Sequence, residues 1–313
     1  MASPLHPEPF FLAATATAGG RRFCVFYAAQ GPLRRGQVLY IHPFAEEMNK
    51  SRRMAALQAR ALAGNGFDVL QIDLLGCGDS SGDFGDASWE AWIDDVVLGC
   101  QWLLARNNPS GSAPPSQALS NGCNVWLWGL RAGCLLAVEA ATQLGRPCNF
   151  LFWQPPNAGR AQLQQFLRLK VASEMISGQA KGAMEALRKE LAEGRSVEIS
   201  GYRLSPALAN GLEKAVLLPA SLQMPDAAHA PRVVWLELST RPDAEISPVS
   251  AQCATQWKEA GFAIESQIAF GSAFWQTQEI EEAPDLLTLG TAALSGITHV
   301  PQQIKRASWI SVK

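Results

Sequence analysis

The sequence predicts an α/β fold, with a mostly parallel central sheet flanked by helices and an inserted helical lid. Three observations carry this prediction. Short apolar runs alternate with helix-forming stretches along most of the chain, the rhythm of strand–helix–strand units. A glycine-bracketed turn, Gly129-Leu130-Arg131-Ala132-Gly133, joins a strand-like run to a helix-like one. The rhythm then breaks between 157 and 228 and resumes afterwards. The organisation expected is a core built from 1–156 and 229–295, a lid over 157–228 and a C-terminal tail over 296–313. A chain of 313 residues, 48% of them hydrophobic, can bury one large core of this kind.

Alternating apolar residues at 9–14 and 21–29 predict an antiparallel hairpin, with Gly19-Gly20 near its turn. The run Gln37–Ile41 has the apolar character of a strand buried on both faces. Over 51–65, Met54, Leu57, Ala61 and Leu62 share a helical face, and Gly64 and Gly66 stop the helix. Phe67–Leu75 follows as a strand, then a glycine-rich turn at 76–85. Ser88 can cap a helix that places Trp89, Trp92, Ile93, Val96 and Leu103 inside. Residues 107–122 read as a surface loop rich in Ser, Pro, Gly and Asn.

Strands at 125–128 and 150–153 continue the sheet, and helices are expected at 160–176, 178–193 and 206–216 within the lid. A strand at 232–238, a helix at 248–260, a strand at 262–270 and a helix at 279–294 complete the pattern.

Composition narrows the function classes. A net charge of −2 gives no reason to expect nucleic acid or an anionic membrane as partner. Of ten tryptophans, Trp126, Trp128, Trp153 and Trp235 lie in strand-like runs and read as core packing. Seven cysteines, with no C-x-x-C pair, fit neither a disulfide framework nor a zinc site, so a reduced cytoplasm and no metal are expected. The N-terminal residues lack the layout of a signal peptide, and no apolar run approaches the ~20 residues of a membrane span. No cofactor is indicated.

The turn at 129–133 has the layout of a nucleophile elbow, G-x-S-x-G between strand and helix, with Arg131 at the apex. Arginine stays protonated and offers donors only, so it is no nucleophile. A cation at a helix N-terminus meets the positive end of the dipole, a penalty of about 0.3–1 kcal/mol, and calls for an anion nearby. Glu46, Glu47 and Asp243 are the protein candidates; a ligand carboxylate or phosphate is the other. Cys134, three residues into the helix, reads as packing rather than as a replacement nucleophile.

The stretch Asp73-Leu74-Leu75-Gly76-Cys77-Gly78-Asp79-Ser80 resembles the D-x-R-G-x-G-x-S turn of the α/β-hydrolase superfamily, with Leu75 where that pattern has Arg. The likeness extends over residues 10–295. Within that superfamily the chain resembles the exosortase A system-associated hydrolase 2 group. It does so through His42–Arg52, Trp128–Arg131, Trp153-Gln154-Pro155-Pro156 and Phe274-Trp275-Gln276.

The resemblance implies an α/β-hydrolase fold and a bacterial cytoplasmic protein associated with exopolysaccharide production and exosortase sorting. It implies no particular reaction. Backbone N–H groups of Phe44 or Ala45 and of Ala132 would take the oxyanion-hole positions. Asp243 would take the acid position. Ala273 stands where the superfamily often has its histidine. Of the four histidines, His6, His229 and His299 lie at unsuitable places, and His42 lies in the oxyanion loop.

Two functions stay open from the sequence. One is a non-catalytic or atypical member that binds an anionic small molecule or a protein partner. The other is an atypical hydrolase of an ester, thioester or glycan-linked acyl group, in which Glu46 or Glu47 activates water and His42 assists.

Overall fold

The computed structural model describes residues 6–14, 19–107, 125–176, 182–219 and 230–296. Residue 107 of the loop expected at 107–122 ends a helix, and residues 108–122 and the tail from 297 onward lie outside the described residues. The hairpin is β1 (Glu8–Ala13) and β2 (Arg21–Tyr27), antiparallel as its alternation predicts. Then come β3 (Gly36–Ile41), α1 (Glu46–Gly64), β4 (Phe67–Ile72), α2 (Trp89–Asn107), β5 (Val125–Leu130), α3 (Ala132–Leu144) and β6 (Asn149–Trp153).

After the segment that follows β6, the sheet resumes with β9 (Arg232–Ser239), α7 (Pro248–Glu259), β10 (Ala263–Phe270) and α8 (Pro284–Ser295). The eight-stranded sheet has the order β1-β2-β4-β3-β5-β6-β9-β10. From β4 to β10 every neighbouring pair is parallel.

Each central strand divides its side chains between two apolar layers, as a sheet covered on both faces requires. Trp126, Trp128 and Leu130 of β5 pack with Val38, Tyr40, Met54 and Leu294, on the side of α1 and α8. Leu127 of the same strand packs with Leu39, Trp92, Val96 and Leu135, on the side of α2 and α3. The four tryptophans read as core are 4% exposed or less. A buried ion pair, Arg22 Nε to Asp95 Oδ1 at 2.6 Å, ties β2 to α2.

The segment after β6 holds α4 (Gly159–Ile176), α5 (Ala183–Ala192) and α6 (Pro206–Lys214). Between α5 and α6 it also forms a short antiparallel hairpin, β7 (Val197–Ile199) with β8 (Tyr202–Leu204), which a purely helical reading did not anticipate. The hairpin turns on Ser200 and Gly201, both at positive φ. Ser205 caps α6 by accepting from Leu208 N, and its hydroxyl donates to Ala87 O at 2.6 Å. Gly211 lies so close to Trp89 that an added Cβ would sit 2.0 Å from the tryptophan Cβ. The α6 end of the segment is therefore fixed to α2.

Two boundaries differ from expectation in a way that matters for function. Helix α1 begins at Glu46, five residues earlier than 51, so Glu46 and Glu47 form its first turn. Helix α8 begins at Pro284, not at 279. Among the described residues no helix is long and apolar enough to cross a membrane. All six described cysteines are buried free thiols.

Candidate functional site

Three adjacent parallel strands, β3, β5 and β6, end in residues with strained backbone. Ala45 follows β3 at φ 51°, Arg131 follows β5 at φ 54° and Gln154 follows β6 at φ 45°. A non-glycine residue held in such a region costs on the order of 1–3 kcal/mol and persists where surrounding structure fixes it.

Ala45 and Arg131 are near copies in conformation, with ψ of −126° and −121°, and each precedes a helix. The register puts Ile41 beside Gly129, so the two strand–turn–helix elbows lie side by side. Gln154 braces the next strand end, donating from its backbone to Leu236 O and accepting from Leu238 N at its side-chain oxygen.

The glycines of the elbow are dictated by space. A Cβ on Gly129 would lie 2.5 Å from Cys134 N, and one on Gly133 would lie 2.3 Å from Ile41 O. Arg131 N donates to Trp153 O at 2.9 Å and locks the apex to β6. The backbone N–H groups of Phe44 and Ala132 donate to no acceptor among the described residues.

The anion that Arg131 calls for is Glu47. Arg131 Nη2 lies 3.4 Å from Glu47 Oε1, with each side chain 14% exposed. The same nitrogen donates to Gln165 Oε1 at 2.7 Å, and the guanidinium carbon stands 5.6 Å from the centre of the Trp275 ring. Burial pushes the Glu47 carboxyl above its ordinary value, while Arg131 draws it back down.

Glu46 turns aside to Lys50, 3.8 Å away. Of the three candidate anions, Asp243 is exposed, and the pair that Arg131 makes is with Glu47. A loop aspartate keeps its hydration there, whereas the first turn of α1 already faces the apex.

His42 is buried, with Nδ1 2.8 Å from Pro43 O and Nε2 accepting from Leu74 N at 3.2 Å. The neutral ring thus has one nitrogen donating and the other accepting, and burial lowers its pKa. Ala273 is half-buried and packs with the Trp153 and Phe274 layer. Cys134 is buried, its thiol is raised far above the ordinary value by burial, and it donates to Gly129 O.

Over the elbow lies a cavity of about 290 Å³. Glu46, Glu47 and Phe44 line it from the α1 elbow, and Gln162, Gln165 and Phe166 from α4. Leu169, Trp275 and Gln276 complete the wall. Two lining residues carry a buried polar atom without a partner, Glu47 at Oε2 and Trp275 at Nε1, and so does Arg131 at Nε, which pairs with Glu47 from outside the lining. Gln162 is 6% exposed, and its amide enters no hydrogen bond among the described residues.

The wall from α4 was absent from the sequence-based set. The signal was present, since Gln162, Gln165, Phe166 and Leu169 fall at i, i+3, i+4 and i+7 on one helical face.

No family model matches the chain. Human Protein ABHD12B is 32% identical over 180 residues, 55% of this chain and 43% of that protein. The matched region thus spans less than half the length of that relative.

Solved structures match over nearly the whole chain. A highly thermostable carboxyl esterase from Bacillus coagulans, in complex with glycerol, has a TM-score of 0.56 at 11% identity, covering 94% of this chain and 99% of its own. Alpha/beta hydrolase domain-containing protein 10 from mouse has a TM-score of 0.53 at 14% identity, covering 93% and 98%. Est1E from Butyrivibrio proteoclasticus with ferulic acid bound has a TM-score of 0.52 at 14% identity, covering 92% and 96%. The fold is that of the α/β hydrolases.

Proposed function

We propose that this α/β-hydrolase-fold protein binds a small molecule in the cavity over its elbow and does not hydrolyse esters by Ser-His-Asp chemistry. The observation that carries the reading is the cavity itself, lined by Phe44, Phe166, Leu169 and Trp275 together with Gln162 and Gln165, beside an apex where Arg131 pairs with Glu47. A largely apolar hollow with a few polar side chains is the usual form of a small-molecule site. Arg131 offers no attacking atom. His42, with both ring nitrogens in backbone hydrogen bonds, is no free base.

The sequence resemblance to exosortase A system-associated hydrolase 2 proteins is the ground on which we further propose a cytoplasmic role in exopolysaccharide and exosortase-associated processes.

The test is a fragment screen by ligand-observed NMR on the parent and on Leu169→Trp, which fills the cavity wall. Hits on the parent that vanish in the variant are expected. Hits that survive, or none on a folded parent, would contradict the reading.

One observation favours a second reading. Glu47 lines the cavity, and burial raises its carboxyl, as suits a group that activates water on an ester, thioester or glycan-linked acyl group. Turnover on ester and thioester panels that disappears in both Glu47→Gln and Arg131→Ala would establish it. Equal, background rates in all three proteins are expected instead.

A further inference from the structure

An arginine at the elbow apex suggests at first an anionic ligand. The charges around the cavity argue the opposite. Among the described residues, its lining carries two carboxylates, Glu46 and Glu47, and no cationic side chain. Arg131 is not part of the wall, and its Nη2 is engaged by Glu47 and Gln165. Lys50 lies 3.8 Å from Glu46 and is likewise not part of the wall. An anion entering the cavity would approach the carboxylates of Glu46 and Glu47 in its lining. Juxtaposing like charges is costly, and Arg131 and Lys50, the cations that reach the lining carboxylates, are already shared with them.

An uncharged ligand meets complementary groups. The buried amide of Gln162 offers one donor and one acceptor side. Phe44, Phe166, Leu169 and Trp275 offer an apolar wall. The volume falls near the lower end of the roughly 300–1,000 Å³ typical of small-molecule pockets.

We propose that Glu47 is a charge gate: by occupying Arg131 it reserves the cavity for an uncharged amphiphile bearing an amide or hydroxyl group, and excludes carboxylates and phosphates. This rests on the ligand-binding reading above and adds the ligand class and the residue that sets it. Glu47 selects by holding Arg131, a specificity role distinct from catalysis.

The probes are hydrocinnamamide and hydrocinnamate, which share a shape and differ in charge. Each is titrated by ligand-observed NMR at neutral pH into the full chain, as parent and as Glu47→Gln. The parent is expected to bind the amide at least about tenfold more tightly than the carboxylate, the worth of one charge-assisted contact. Glu47→Gln is expected to invert that order, because Arg131 is released to the carboxylate.

A parent that binds the carboxylate as tightly as the amide overturns the gate, and so does a folded Glu47→Gln that keeps the parent's preference. Amide binding with an unchanged preference sinks the gate alone; binding of neither probe to either protein sinks the ligand-binding reading with it. Arg131→Gln serves where Glu47→Gln does not fold. It is expected to retain amide binding and to weaken the carboxylate further, and tighter carboxylate binding there overturns the gate.

Discussion

At the scale of single residues, the site turns on which groups keep their charge in a buried place. Arg131 and Glu47 hold each other, and Gln165 takes another of the guanidinium's donor positions. Both acids of the first turn were legible from the need of a helix-terminal cation for an anion, but the choice among Glu46, Glu47 and Asp243 was not. That choice depends on where α1 begins and on Asp243 lying in solvent, and neither is encoded in local spacing.

His42 was legible as a histidine near the elbow. Its two backbone hydrogen bonds, to Pro43 O and from Leu74 N, join the β3 loop to the β4 loop and belong to tertiary structure. These bonds make a titration prediction. Burial lowers the folded-state pKa of His42 below 6.5, so its neutral form is fully favoured above that value. As pH falls below 6.5 the unfolded chain takes up the proton first, and stability drops until the folded-state pKa is passed. Denaturant melts across this range are expected to show the drop in the parent and a flatter profile in His42→Gln. The variant is also expected to lose about 1–3 kcal/mol above the window, because Leu74 N–H loses its acceptor. A variant with the parent's slope would assign the pH dependence to other groups.

Among the elements, the elbow was the most legible, because its glycines answer to steric limits that local sequence expresses. Gly133 lies against Ile41 O and His42 O, the end of the neighbouring strand, so its alanine variant must push β3 and α3 apart. Gly133→Ala is expected to lower stability by about 1–3 kcal/mol or more in urea denaturation. A change below about 0.5 kcal/mol would show that the two strands' ends are not packed as tightly as described.

Less legible was the elbow at Ala45. Its sequence, Pro43-Phe44-Ala45-Glu46, carries no glycine to mark a positive φ, yet the backbone matches Arg131 within a few degrees. The β7–β8 hairpin escaped for a related reason: three-residue strands beside helix-forming runs give too short a period to read. The anchoring of α6 through Ser205 and Gly211 also depends on partners, Ala87 and Trp89, more than a hundred residues away.

For the whole molecule, the sheet and its two covering layers were predicted well, since buried parallel strands must be apolar and helices between them must be amphipathic. Function is less determined at this scale. The same fold holds the carboxyl esterase from Bacillus coagulans, and fold alone assigns no reaction. The functional reading rests on local features: a paired cation at the apex and a cavity above it. The most direct measurement is a crystal structure of the full chain grown with saturating hydrocinnamamide. The account predicts the ring against Phe166 and Trp275, the amide on Gln162, and the Arg131–Glu47 contact intact. A cavity holding only solvent, or Arg131 swung from Glu47 onto the ligand, would contradict it.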